Sequence, residues 1–251
     1  MTPKDTEIKG GAERMLLVLS TLGRLERPAS IGDLMVETGL AKSTLYRQLA
    51  LLRRWGFVMD HDDQFLPGPM CLPLVRGFEQ SSYLRLEARS ELEQLSRQTG
   101  ESAGLLMEVN QQVVCIEMIE SNQQLRCSFV KGRGLPLLKG ASAKTLLAFM
   151  PAKRQAIVLR DLERDGLLDE TQRRHLETEL SDIRARGYAC TDSEVDAGVW
   201  GISAPIFQVS SHAVAAITLM APNTRIGNRA QALTDMTVHV AARLSSRLQS
   251  L

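Results

Sequence analysis

Residues 38–54 read Thr38-Gly39-Leu40-Ala41-Lys42-Ser43-Thr44-Leu45-Tyr46-Arg47-Gln48-Leu49-Ala50-Leu51-Leu52-Arg53-Arg54, and this stretch decides the fold of the first domain. Gly39 closes the segment before it, because glycine takes the left-handed conformation in which helices end. A new helix, about Ala41 to Trp55, follows at once and places Leu45, Leu49 and Leu52 on one face. Two helices joined by so short a glycine turn predict a helix-turn-helix. The upstream partner is Ile31 to Thr38, with Ser30 as N-cap oxygen and Leu34 and Val36 as apolar anchors. Before Pro28, Met15, Leu19, Leu22 and Leu25 form the apolar stripe of a first helix over Gly11 to Glu26.

Charge says little about the chain as a whole, which carries 30 basic and 29 acidic residues. It says more locally. Residues 1–75 carry nine basic and nine acidic side chains, yet the third helix holds Lys42, Arg47, Arg53 and Arg54 against no acid. That is the electrostatic footprint of a helix that reads DNA. Its first turn presents Lys42, Ser43 and Thr44 beside free backbone N–H groups, suited to a phosphate or a base edge, with Tyr46 and Arg47 on the outward side. Ser30, Lys42, Ser43, Thr44, Tyr46, Arg47, Arg53 and Arg54 are therefore the expected DNA-facing set, with Arg47 and Arg54 on phosphates and Lys42, Ser43, Thr44 and Tyr46 nearer bases. A solvated basic surface helix is the plain alternative. Phe57-Val58-Met59 and Phe65-Leu66 predict a hairpin, a wing, around Asp60 to Gln64. Its three aspartates argue against close contact between wing and phosphate backbone.

Beyond Gly68-Pro69 a helical linker in two pieces is expected from Met70 to Thr99, around Gln80-Ser81-Ser82, with Gly100 as its C-terminal stop. Three strands of a meander follow, Ala103–Val109, Val113–Ile119 and Leu125–Val130, then a Gly-rich loop, Lys131–Gly140. Helices over Ser142–Met150, Ala152–Asp161 and Gln172–Arg186 lead to strands near Tyr188–Thr191, Ile202–Gln208 and Ala213–Met220. A final helix puts Ile226, Ala230, Leu233, Met236, Val240, Leu244 and Leu248 on one face. The second domain is thus α+β, an antiparallel sheet between helices. At 251 residues, 44% hydrophobic and 24% charged, the chain has room for two cores and is neither disordered, collagen-like nor a disulfide-stapled miniprotein. It offers no apolar run of membrane-spanning length and no signal peptide. Residues 1–10 read as a tail on a cytoplasmic protein. Cys71, Cys115, Cys127 and Cys190 read as free buried thiols, and the scattered His61, His175, His212 and His239 give no metal spacing, so neither metal nor cofactor is expected.

The chain resembles the isocitrate lyase regulator (IclR) family of bacterial transcription factors over nearly its full length. The resemblance rests on Gly39 to Arg47 and Trp55-Gly56-Phe57-Val58 in the first domain. In the second it rests on Leu135-Pro136-Leu137, Ser142 to Ala148, and Arg186-Gly187-Tyr188-Ala189 through Asp192, Glu194 and Gly198 to Ile202–Phe207. It implies a winged helix-turn-helix over residues 1–69, a helical linker over 70–84, and a GAF/PAS-like effector-binding and oligomerisation domain over 85–251. It also implies a homodimer or tetramer on a near-palindromic double-stranded operator, regulated by an organic acid or aromatic metabolite. Carried over position by position, the effector pocket would be lined by Cys127, Leu135, Ala141, Ser142, Thr191, Val199, Gly201, Thr218 and Met220.

Four of those positions depart from family members that take small carboxylates, which usually have Asp at Thr191, Cys at Gly201 and serines at Thr218 and Met220. Fewer polar partners imply a larger or less polar ligand, with Gly201 giving room and Met220 an adaptable wall. Pro67 and Gln208 also differ from the family's usual residues. Several plain readings stand beside these. Ser142 to Ala148 could be a packed helix start, with Ser142 as cap and Lys144 solvated. Trp200 reads as an interface or core aromatic. Lys131-Gly132-Arg133-Gly134 resembles a phosphate loop but lacks its Gly-Lys-Ser/Thr ending. Two other functions compete: a metabolite sensor acting through protein contacts, favoured by the acidic wing, and a hydrolase using Ser210, Ser211 or His212, which has no acidic residue at useful spacing.

Overall fold

Three helices, α1 (Gly11–Leu25), α2 (Ile31–Thr38) and α3 (Lys42–Arg54), frame the first unit of the computed structural model, which describes residues 10–81 and 83–250. Apart from Gly10, the expected tail lies outside the described residues. Val18 and Leu22 of α1 pack against Leu34, Leu45, Leu49 and Leu52, closed by Val58 and Phe65. Val36 is not an anchor; it is 72% exposed. Two residues along a helix turn the side chain to the far face, and Thr38, four residues from Leu34, takes the buried place instead. Ser30 caps α2, and Asp33 completes a capping box by accepting from the Ser30 N–H at 2.8 Å and its hydroxyl at 2.7 Å. Arg27, hydrogen-bonded from outside at 3.0 Å, and Ser30 hold the Asp33 carboxyl well below the usual carboxylate range.

The wing is tighter than its sequence suggested. Strands β1 (Val58–His61) and β2 (Gln64–Pro67) pair from Val58–Pro67 to His61–Gln64, so Asp60 and His61 belong to the strand and only Asp62-Asp63 form the turn. Both have positive φ, 49° and 56°, as a two-residue hairpin of this hand requires and as aspartate tolerates. Helices α4 (Cys71–Ser81) and α5 (Tyr83–Thr99) follow, and the chain divides into its two compact units between residues 82 and 83.

The second unit is built on a six-stranded antiparallel sheet in the order β5-β4-β3-β8-β7-β6. Its strands are β3 (Ser102–Val109), β4 (Gln112–Ile119), β5 (Gly134–Pro136), β6 (Ala189–Asp192), β7 (Val199–Phe207) and β8 (Ala213–Pro222). On one face α5 and α9 (Ala230–Gln249) bury Leu92, Leu95, Leu105, Ile202, Leu233 and Leu244. On the other, α6 (Ala141–Ala148), α7 (Ala152–Arg164) and α8 (Glu170–Arg186) bury Leu106, Leu137, Leu147, Leu159, Leu180 and Ile183. Ile226 precedes α9, between two short 3-10 turns, but still packs into the first core. Trp200 belongs to that core too, at 5% exposure, so the chain's own packing accounts for it without an interface.

Leu125–Val130 is not a strand. Cys127 and Phe129 turn inward against Cys115, Met118 and Met220 while Leu125 is 66% exposed, and the stretch meets the sheet only at a bridge between Lys131 and Cys115. The place beside β4 goes to β5, inside the segment read as a loop. Gly134 allows this approach, because a Cβ there would lie 1.9 Å from Gln112 Oε1. Replacing Ser30 by Ala removes the α2 cap and should cost the first unit about 1 kcal/mol; urea unfolding followed through Trp55 in a Trp200→Phe background would show an unchanged midpoint if the cap carried no stability.

Candidate functional site

Helix α3 begins at an Ala41 N-cap with no side-chain cap, so its first-turn N–H groups stay available. Lys42, Ser43, Tyr46, Arg47 and Arg54 are exposed and Thr44 is half-buried. The Lys42 ammonium lies 5.8 Å from the Tyr46 ring centroid, which gives the two side chains a shared position. The cations differ in one respect the sequence did not reveal. Arg53 is bonded to Asp60 of the wing at 2.8 Å, whereas Arg47 and Arg54 have no carboxylate partner among the described residues. Asp60 thereby loses much of its repulsion for a phosphate, and at the tip Asp62 lies 3.4 Å from His61 Nε2 while Asp63 has no cationic partner among the described residues. The Ser30 hydroxyl is engaged in its capping box, accepting from the Asp33 N–H at 3.1 Å and donating to the Asp33 carboxylate at 2.7 Å.

In the second unit all nine residues expected to line the effector pocket border one cavity of about 750 Å³. It lies between the N-terminus of α6, the 125–130 stretch, β5 and the loop 193–198. Ser142 and Thr191, 6% and 8% exposed, line it with hydroxyls that have no hydrogen-bond partner among the described residues. Thr218 differs, since its hydroxyl donates to Ser203 Oγ at 2.9 Å. Ser142 is not the cap of α6. Gly140 is, with φ 88° and no side chain, so the N–H groups of Ala141 and Ser142 point toward the cavity end uncapped. Gly201 leaves space beside them; a Cβ there would meet Ala141 Cβ and Thr191 Oγ1 at an ordinary 3.7 and 3.8 Å.

Lys144 is not solvated. It is 7% exposed and lies between Glu179 at 2.7 Å and Glu194 at 2.5 Å. Glu194 also accepts the Gly140 N–H at 3.1 Å, which pins the 193–198 loop over the start of α6. Sequence reasoning missed this triad, although Glu194 stood inside the recognisable 186–207 stretch. One cavity wall is rich in sulfur, with Cys127 and Met220 backed by Cys115 and Met118. Burial pushes the Cys115 thiol up to about 12 and raises Cys127 as well, so both pack as neutral groups. All four cysteines are free.

Glu117, fully buried on β4, gathers Arg85 at 2.7 Å, Arg89 at 3.4 Å and Lys131. Burial works against its charge, but Lys131, the Met118 N–H and Arg85 outweigh it and keep its pKa below the ordinary value. Lys131 is therefore occupied within the protein. Ser210, Ser211 and His212 form the β7–β8 turn, where Ser210 Oγ accepts the His212 N–H at 3.2 Å. Among the described residues no cluster of His, Cys, Asp or Glu could hold a metal, and no helix is long and apolar enough to cross a membrane.

Comparison with known proteins gives these surfaces a context. The family model for the IclR helix-turn-helix domain matches residues 11–60, and that for the C-terminal part of bacterial IclR transcriptional regulators matches residues 79–247. Relatives include the HTH-type transcriptional regulator BhcR of Paracoccus denitrificans, 31% identical over 82% of this chain and 76% of its own. The transcriptional repressor IclR of Escherichia coli is 26% identical over 85% of this chain and 80% of its own. The solved structure of an IclR-type regulator from Alicyclobacillus acidocaldarius shares the fold, with a TM-score of 0.80 at 21% identity over 95% of this chain and 98% of that one. A regulator's C-terminal domain from Vibrio cholerae is 40% identical, with a TM-score of 0.58 over 66% of this chain and 98% of its own. With both family models matched in order, the second over more than half of its length, the chain belongs to the IclR family of bacterial transcriptional regulators.

Proposed function

We propose that the chain is a cytoplasmic regulator that binds a near-palindromic operator as a homodimer or a tetramer, and whose affinity is set by an organic acid larger than two or three carbons. The observation that carries this reading is the cavity. Its volume, about 750 Å³, falls within the range of roughly 300–1,000 Å³ typical of sites for sizeable small molecules. At one end, uncapped N–H groups of α6 and two unpartnered hydroxyls suit a carboxylate. The part of the wall formed by Cys127, Phe129 and Met220 is apolar and sulfur-rich, which suits a bulkier body.

On DNA, α3 supplies the reading surface, with Arg47 and Arg54 on phosphates and Lys42, Ser43, Thr44 and Tyr46 toward bases. Residues 70–84 act as the helical linker and 85–251 as the effector and oligomerisation domain. Leu72, Leu74, Val75 and Phe78 of α4, each about half exposed or more in the single chain, are apolar surface that a second copy would cover. The effector would favour one arrangement of the paired effector domains and so alter the spacing of the two reading helices.

Fluorescence anisotropy against the protein's own upstream intergenic DNA, with a scrambled duplex at two salt concentrations, tests the reading; equal salt-sensitive binding to both duplexes would contradict specific recognition. Arg54→Ala should weaken binding to both duplexes and lower the salt slope by about 1. Arg53→Ala should do less, because its guanidinium is already held by Asp60; an equal effect of the two would place Arg53 on the DNA. Titration calorimetry should find no tight binding of glyoxylate or pyruvate. In an acid screen by thermal shift, Gly201→Leu should fill the cavity and lose every response while operator binding without ligand is kept. Responses that survive in this variant would put the effector elsewhere.

A further inference from the structure

The cations around the cavity divide into two groups. Arg126 ends on Glu120 at 2.7 Å, Lys131 on Glu117, and Arg225 on Glu101 at 2.6 Å. Arg133 and Lys139 also border this region and line the cavity itself, yet neither has a carboxylate partner among the described residues. Lys139 immediately precedes Gly140 and so belongs to the acid-binding end at α6. Arg133 does not. It stands before β5 while Lys139 stands after it, with Gly134-Leu135-Pro136 between them.

The position of Arg133 is fixed by its backbone. The Gly132 N–H donates to the Cys115 carbonyl at 2.8 Å and the Arg133 N–H to the Val130 carbonyl at 3.2 Å, and β5 begins at the next residue. This is the Lys131-Gly132-Arg133-Gly134 turn that resembled a phosphate loop in the sequence. Lys131 is committed to Glu117, so the turn offers a single guanidinium to the cavity. A guanidinium is a planar donor that matches a carboxylate two-for-two. Asp196 is the acidic residue among the cavity-lining side chains, and it makes no ion pair with Arg133 among the described residues.

A ligand with one carboxylate would engage the α6 end alone and leave Arg133, exposed where it borders the cavity, to water. From this arrangement we infer that the ligand is a diacid, an apolar body with one carboxylate at the α6 N-terminus and Lys139 and a second anionic group at Arg133. This rests on the effector reading above and narrows it to a chemical class. Arg133 then selects by charge, whereas Gly201 and the sulfur wall select by size.

The test is calorimetry on the full-length protein with matched pairs of probes: straight-chain dicarboxylates of four to eight carbons beside the corresponding monocarboxylates, and terephthalate beside 4-methylbenzoate. The best diacid should bind at least tenfold more tightly than its monoacid. Arg133→Gln should erase that advantage while leaving the monoacid affinity unchanged, which a purely structural role for the turn would not do. Monoacids that bind as tightly as diacids, or an Arg133→Gln variant that weakens both alike, would overturn the diacid inference and leave the effector reading standing. Failure of every acid in both series would overturn both. Conversion of Arg133 to Lys should restore part of the diacid preference, because the charge returns without the planar fork.

Discussion

Gly140 has no side chain, and the open end of the cavity at α6 depends on it. Its φ of 88° turns the chain into α6 without a cap, and Val195 of the covering loop packs so close that a Cβ would lie 2.7 Å from it. A serine or aspartate in that place would satisfy the helix from within and displace the loop. With glycine, the first N–H groups of α6 stay open to a ligand, and the Gly140 N–H itself is taken by Glu194. Lys144 then stabilises Glu194 from one turn further along the helix. The open end of α6 and the loop that covers it are thus products of the same residue.

Both functional surfaces are defined by which charges the protein leaves unspent. The Arg53–Asp60 pair joins exposed side chains and contributes little to stability, whereas Glu117 and Glu101 are buried and depend on their cations. On α3 the wing holds Arg53 and leaves Arg47 and Arg54; around the cavity Lys131, Arg126 and Arg225 are held by Glu117, Glu120 and Glu101, while Arg133 and Lys139 have no carboxylate partner among the described residues. A near-neutral chain can in this way present local positive sites without a basic composition.

Local signals in the sequence were legible where a single element decides the outcome. The boundaries of α2, the leucine face of α3 and the apolar face of α9 follow from caps and periodicity alone, and the cavity-lining positions from a motif in fixed order. What escaped was set by partners far apart in the chain. Leu125–Val130 has the composition of a strand, but β4 already pairs with β5, and Cys127 and Phe129 gain more by packing on the cavity wall. Lys144 looked solvated because its partners lie 35 and 50 residues away. Asp60 looked like part of a loop because nothing local shows that Asp62-Asp63 alone can close the wing.

Glu117 ties the cavity to the part of the domain nearest the linker in sequence. A β-bulge in β4 opposite Leu105–Leu106 places it there, and it collects cations from two directions: Arg85 and Arg89 from the first turns of α5, and Lys131 from the turn that carries Arg133. A fully buried carboxylate has no water to replace a departing cation, so separating either side leaves charge uncovered in an apolar setting. The turn and the start of α5 are therefore held to one carboxylate. Since α5 begins at Tyr83, at the boundary with the first unit, the turn that carries Arg133 and the segment that follows this boundary share one carboxylate.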